Sequence, residues 1–150
     1  MFKHILIPTD GSKLSNEAAE AGVRLAKKLG ARVTGFFAAP PATPIIYKAL
    51  LPVGYTTPEE HAEMIRKAAR SYLDAIEKAA KAAGVPCETV TVTSDFPADA
   101  ILATAKKRRC DLVFMSSHGR RGLRRSSLLG SETQKVLSNG NLPILVFRKA

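Results

Sequence analysis

The run from Asp111 to Ser131, DLVFMSSHGRRGLRRSSLLGS, decides how the rest of the chain is read. Leu112, Val113, Phe114 and Met115 are apolar with no polar residue between them, the pattern of a strand covered on both faces in a parallel sheet. Polarity then changes at once. Ser116, Ser117 and His118 lead into Gly119, Arg120, Arg121, Gly122, Arg124 and Arg125, and Gly130 and Ser131 open a second apolar-periodic stretch. Small residues let a backbone approach a ligand closely, and a helix opening presents amides that its own ladder leaves without partners. Strand, basic glycine-bearing loop and helix opening together predict a phosphate cradle.

Working outward from this run, the flanking sequence alternates strand and helix patterns. Upstream, Asp95, Phe96 and Pro97 start a helix, with Asp95 as its cap; Ala100, Ile101 and Ala105 face inward, and Lys106 to Arg109 end it. Val85 to Thr93 alternates valine with threonine, as a strand near a sheet edge does. Before it, Thr57, Pro58, Glu59 and Glu60 form a helix start with threonine at the N-cap, proline at N1 and Glu60 closing a capping box. The stripe Ala62, Ile65, Ala69, Leu73, Ile76, Ala80 continues that helix to Gly84. Between Ala39 and Thr57, four prolines and Gly54 predict a long loop, which Tyr47, Leu50, Leu51 and Tyr55 anchor as a cover over a core edge rather than as a lid.

At the start of the chain, Lys3 to Thr9 reads as a strand running into a turn at Asp10 and Gly11. Leu14, Ala18, Ala21 and Leu25 give a helix capped by Ser12 or Ser15 and stopped by Gly30, and Arg32 to Ala38 gives the second strand. Downstream of Ser131, Val136 and Leu137 lie in a helix that ends near Asn139 and Gly140, and Leu142 to Phe147 form the last strand. The order β-α-β-α-β-α-β-α-β predicts an α/β fold: a five-stranded parallel sheet with helices on both faces and right-handed crossovers, residues 1–150 as one domain. Ligands of such sheets bind beyond the carboxyl ends of the strands at a topological switch point, where Asp10 and Ser116 to Gly119 both fall.

Composition limits the function classes. A chain of 150 residues buries roughly 68–70% of its unfolded surface without staples. Cys87 and Cys110 have no CxxC or histidine partner spacing and read as buried free thiols in a reducing cytoplasm. The apolar run in MFKHILIPTDGS is too short for a signal peptide or a membrane span, and no later stretch approaches the roughly 20 apolar residues a span requires. His61 has no second ligand nearby and reads as a surface residue. Lys and Arg outnumber Asp and Glu by 23 to 13. The Lys106–Arg109 run fits the solvated carboxyl end of a helix, where cations complement the dipole. Arg120, Arg121, Arg124 and Arg125 are phosphate clamps or solvated loop charges, and the sequence leaves both open. Without aromatics among them to stack on bases, nucleic-acid binding is not the expectation.

Familiar phosphate motifs are missing: there is no GxxxxGK[ST], no GxGxxG after the first strand, and GSK at 11–13 lacks the upstream glycine. A receiver domain would need an acidic pair after the first strand, where Asp10 stands alone. ILIPTDGS near the start, MSSHGRRG after the fourth strand, LLGSETQKVL and NLPILVF at the end resemble the universal stress protein family over essentially the whole chain. The resemblance implies an adenine nucleotide alpha-hydrolase-like domain. It also implies a homodimer formed by antiparallel pairing of the last strand, here Ile144, Leu145, Val146 and Phe147.

Members that bind ATP carry a loop of the form G-x2-G-x9-G-[ST]. Here its first glycine is Ser116, its second is Gly119, its closing pair is Gly130 and Ser131, and the spacer from Arg120 to Leu129 is ten residues. Carried over residue by residue, the resemblance implies that Asp10 meets the ribose or, through a cation such as Mg²⁺, the phosphates. Ala38 offers backbone to adenine, Met115 flanks the base, and Gly119, Gly130 and Ser131 hold phosphates. Ser116, His118, Arg120 and Glu132 complete the candidate set. The alternatives are structural: Asp10 as a cap of the first helix, Gly119 and Gly130 as turn residues, His118 as a loop-packing or hydrogen-bonding residue. The expected function is a cytoplasmic homodimer that binds ATP, ADP or AMP as a regulatory ligand, with at most slow hydrolysis. The alternative is a nucleotide-free interaction module that acts through a partner protein.

Overall fold

The computed structural model describes residues 1–41, 57–119 and 129–149. The loop anchors Tyr47, Leu50, Leu51 and Tyr55 and the arginines at 120, 121, 124 and 125 lie outside them. Five strands, β1 (His4–Pro8), β2 (Arg32–Ala39), β3 (Cys87–Thr93), β4 (Leu112–Ser116) and β5 (Ile144–Phe147), alternate with α1 (Lys13–Leu29), α2 (Pro58–Ala83), α3 (Pro97–Lys107) and α4 (Ser131–Asn139). The sheet is parallel throughout, in the order β3-β2-β1-β4-β5. The switch point therefore lies between β1 and β4.

Strands covered on both faces account for the unbroken apolar runs: Ile5, Leu6 and Ile7 are wholly buried, as are Leu112 to Met115 within a few per cent. One core packs Ile5, Ile7, Val33 and Phe37 beneath α1 and α2, and the other packs Leu6, Phe36, Val113 and Met115 beneath α3 and α4. Helices thus cover both faces, as the element order predicts. β3 is an edge strand, also as expected. Among the described residues no helix is long and apolar enough to cross a membrane.

The buried faces differ in detail from the apolar stripes. In α1 the inward residues are Ser15, Ala18, Ala19, Gly22, Val23 and Ala26, so the face is rotated from the expected one. Gly22 lies on this face, where a Cβ would come 2.8 Å from Ile7 and 3.1 Å from Phe114. A residue without a side chain thus lets α1 approach the sheet closely, and an apolar count passes over it. In α2, Ala62 is exposed and only Ala69, Leu73, Ile76 and Ala80 are buried. At 1.5 Å per residue the 26-residue helix runs about 39 Å and outreaches the strands it covers. Of the two apolar residues read in α4, Val136 is buried and Leu137 is 41% exposed.

The helix starts divide into local and non-local ones. Ser12 caps α1 by accepting from the Ser15 amide, and Thr57 and Glu60 form the complete capping box of α2. α3 corrects the expectation for Asp95: Phe96 occupies the N-cap position without a side-chain acceptor. The acceptor for its first turn comes from α4, as described below. Both cysteines are free; Cys110 is buried, which pushes its thiol up to about 11, whereas Cys87 is only half-buried and is also raised, chiefly by burial. His61 is half-buried as well, and its Nε2–H donates to the Pro40 carbonyl at 3.0 Å.

Candidate functional site

The carboxyl edge of β1 turns sharply. The Thr9 amide donates to the Phe36 carbonyl at 2.8 Å, and the Thr9 hydroxyl accepts from the Gly11 amide at 3.1 Å and from the Ser15 hydroxyl at 2.9 Å. Gly11 takes a φ of +79°, where a Cβ would also run into the Tyr72 ring. Asp10 is held in this turn by its Oδ1, which accepts from the Ser12 amide at 2.9 Å. The alternatives for Asp10 are thereby separated: Ser12 caps α1, and Asp10 shapes the turn before it.

The loop after β4 is equally tied down. The Ser117 amide donates to the Phe147 carbonyl at 2.9 Å, the Ser116 hydroxyl to the His118 carbonyl at 2.8 Å, and the Thr133 hydroxyl to the Ser116 carbonyl at 3.0 Å. The Gly130 amide donates to the Ser117 carbonyl at 2.7 Å, which lays the opening of α4 against the loop. His118 Nδ1 shares a 3.0 Å hydrogen bond with the Ser117 hydroxyl.

These two turns meet. A Cβ on Gly119 would collide with Asp10 Oδ2, and a Cβ on Gly130 would come within 3.2 Å of the His118 Cα and the Ser117 carbonyl. At the switch point Gly119 therefore lies against the Asp10 carboxylate and Gly130 against the loop backbone from Ser117 to Gly119, with close approaches that side chains would fill. Gly130 is the N-cap of α4 and supplies no side-chain acceptor, so no cap competes for that helix opening. A carboxylate, a bare loop backbone and a positive helix end form an arrangement that can hold an anion and orient a hydroxyl beside it.

The other candidates are distributed around this junction. Ala38, half-buried, is the last residue but one of β2, near the same sheet edge, and pairs in register with Val92. Met115 is 6% exposed and belongs to the core beneath α3 and α4. Ser131 is exposed at the first position of α4. Glu132 Oε2 accepts from the Ala98 amide of α3 at 2.9 Å, and its Oε1 pairs with Lys135 at 3.3 Å. Arg120 lies outside the described residues, as does most of the ten-residue spacer. Among the described residues no group of three or more histidine, cysteine or carboxylate side chains is arranged to hold a metal ion. The apolar and glycine patterns do not point to Thr9, Ser15, Ser117 and Thr133, whose buried hydroxyls hold these turns together. Their only signal is position, directly after a strand or in the first turn of a helix.

Sequence comparison matches the chain to the universal stress protein family over residues 1–148. The chain belongs to this family. Universal stress protein MJ0531 of Methanocaldococcus jannaschii is 33% identical over 99% of this chain and 84% of its own length. The solved structure of MJ0577 from the same organism superposes with a TM-score of 0.74 at 25% identity, covering 100% of this chain and 99% of that one. Two further structures share the universal stress protein fold and contain adenine nucleotides. One is a cAMP complex (TM-score 0.65, 21% identity, 99% and 98% of the two chains). The other is the dAMP complex of the Archaeoglobus fulgidus protein (TM-score 0.64, 16% identity, 99% and 98%).

Proposed function

We propose that this universal stress protein is a regulatory binder of adenine nucleotides, of ATP or of a related mono- or diphosphate, acting as a single-domain cytoplasmic homodimer with at most slow hydrolysis. The observation that supports this most is the junction at the switch point, where Gly119 lies against the Asp10 carboxylate and Gly130 opens α4 without a capping side chain. Phosphates would meet the backbone of 119 and 130–131 and the amide end of α4, and Asp10 would meet the ribose or a phosphate-bound cation. Ala38 and Met115 would border the base, and Ser131, His118 and Arg120 the phosphates. Relatives of the same fold hold cAMP and dAMP, so the fold accepts this ligand class. The homodimer would form through the edge strand Ile144–Phe147.

One observation favours the second function, a nucleotide-free module that docks a partner protein: the Ser116 hydroxyl is spent inside the loop on the His118 carbonyl and its Cβ stands where the family motif has glycine. A thermal-shift series with ATP, ADP, AMP and GTP, each with and without Mg²⁺, separates the two. Ligand at 100 times its dissociation constant contributes about 2.7 kcal/mol, which raises Tm by roughly 5–10 °C in a domain of this size. The companion variant is Gly119→Ala. Its φ lies outside the left-handed region, so the new methyl group strains no backbone and pushes the Asp10 carboxylate aside, with an expected fall in the unliganded Tm of no more than about 4 °C. A shift with adenine nucleotides in the parent that shrinks by at least half in Gly119→Ala supports the nucleotide site; no shift in the parent at millimolar nucleotide favours the docking module.

A further inference from the structure

We infer that Glu132 positions the nucleotide cradle without touching the nucleotide: its carboxylate fastens the opening of α4 to the amide end of α3, and its charge disfavours ligands with more phosphates. This inference rests on the adenine-nucleotide site proposed above. α3 begins without local help. Phe96 at its N-cap carries no acceptor, Pro97 has no amide hydrogen, and the helix's own ladder starts only where the Ala100 amide donates to the Phe96 carbonyl. The first available donor is the Ala98 amide, and Glu132 Oε2 accepts from it at 2.9 Å across 34 positions of sequence. Glu132 is the second residue of α4, beside the residue that would seat a phosphate. A carboxylate in a first turn usually complements its own helix, but this one is turned to the neighbouring helix and steadied by Lys135. The two helix openings are thus joined through one side chain.

Two physical consequences follow. Breaking the link frees the first turn of α4 from α3 and loosens the backbone that faces Gly119 and the loop after β4. Removing only the charge keeps the link and lowers the repulsion on a bound anion, by more for a triphosphate than for a monophosphate. Glu132→Gln and Glu132→Ala separate these effects, because both lack the charge and only glutamine retains an oxygen that can accept from Ala98.

The test is isothermal titration of the parent and the two variants with AMP and with ATP, both free of divalent cations, together with amide hydrogen exchange at Ala98. The expected results are AMP binding at least fivefold tighter in Glu132→Gln than in Glu132→Ala, with faster Ala98 exchange in the alanine variant. The gain of Glu132→Gln over the parent is larger for ATP than for AMP. Equal AMP affinities in the two variants would overturn the positioning role. A Glu132→Gln protein that binds AMP more weakly than the parent would make Glu132 a direct ligand, and equal gains for ATP and AMP would remove the charge effect. If the parent binds neither nucleotide, the function proposed above fails and this role fails with it. A slow Ala98 exchange that only alanine accelerates would then leave Glu132 as a purely structural cap, so the two failures are distinguishable.

Discussion

At the scale of single residues, His4 shows how a buried polar group sets a pH limit on the fold. His4 Nε2 and the Thr34 hydroxyl share a 2.6 Å hydrogen bond, and the same hydroxyl lies 3.1 Å from Glu88 Oε1. The imidazole is buried in the fold, its Nδ1 included. Burial first and the Arg32 charge second hold the imidazole below its ordinary pKa, outweighing Glu88, the Arg108 backbone and Asp111, which pull the other way. The unfolded chain takes up a proton near pH 6.5 that the folded chain refuses. The contribution is therefore intact above pH 6.5 and is lost as pH falls below it, with a slope that cannot exceed about 1.4 kcal/mol per pH unit. Urea titrations at pH 7.5, 6.0 and 5.0 check this: the stability of the parent should fall more steeply than that of His4→Gln, whose amide can still donate to Thr34. Parallel slopes would exclude His4 as the titrating group. Nothing in the sequence marks His4 as buried, since a histidine at the start of a strand reads equally well as its solvent end; the polar chain through Thr34, Glu88 and Arg108 exists only once β1, β2 and β3 lie side by side.

At the scale of elements, what was legible depended on whether the stabilising partner lies near in sequence. The start of α2 was legible because Thr57 and Glu60 satisfy each other within three residues, with the Glu60 amide 3.1 Å from the Thr57 hydroxyl. The start of α3 is not legible at Asp95, because its acceptor, Glu132, is 34 residues away. The same distinction applies to the site. Gly119, Gly130 and Asp10 were visible as a spacing, but the clasp of Ser116, Ser117 and Thr133 hydroxyls that aligns them joins residues up to 17 apart and has no local pattern. A local cap should also behave locally. Thr57→Ala removes the hydroxyl acceptor and leaves Pro58 and the glutamates in place, so it should cost about 1 kcal/mol and lower Tm by roughly 2–4 °C without changing ligand-induced shifts. Thermal unfolding with and without nucleotide checks both parts, and a lost ligand shift would mean that the opening of α2 reaches the site.

At the scale of the whole molecule, a parallel sheet sends every strand's carboxyl end to one edge and every long helix's carboxyl end to the other. The last-turn cations Lys27, Lys28, Lys81, Lys106 and Lys107 complement the helix ends there, and Arg108 pairs with Glu88 at 3.3 Å, so much of the +10 charge is remote from the switch point. Among the described residues, the same topology leaves the outer sides of β3 and β5 without a paired strand. β3 presents alternating polar residues, whereas β5 presents Leu145 at 38% exposure between half-buried Ile144, Val146 and Phe147. An apolar strand with one side unpaired is a template for another strand, and a second copy in antiparallel orientation would satisfy its outward amides and carbonyls under two-fold symmetry. A charge on that edge opposes such pairing while leaving the bonds to β4 intact, so Leu145→Lys is the discriminating change. Sedimentation velocity should give about twice the 16.1 kDa chain mass for the parent and a single chain mass for Leu145→Lys, with adenine-nucleotide shifts retained because β5 lies outside the phosphate junction. A variant that stays dimeric would move the interface away from Ile144–Phe147. A monomeric variant that also loses its nucleotide shift would mean that pairing of β5 supports the loop after β4 through the Ser117 amide bond to Phe147.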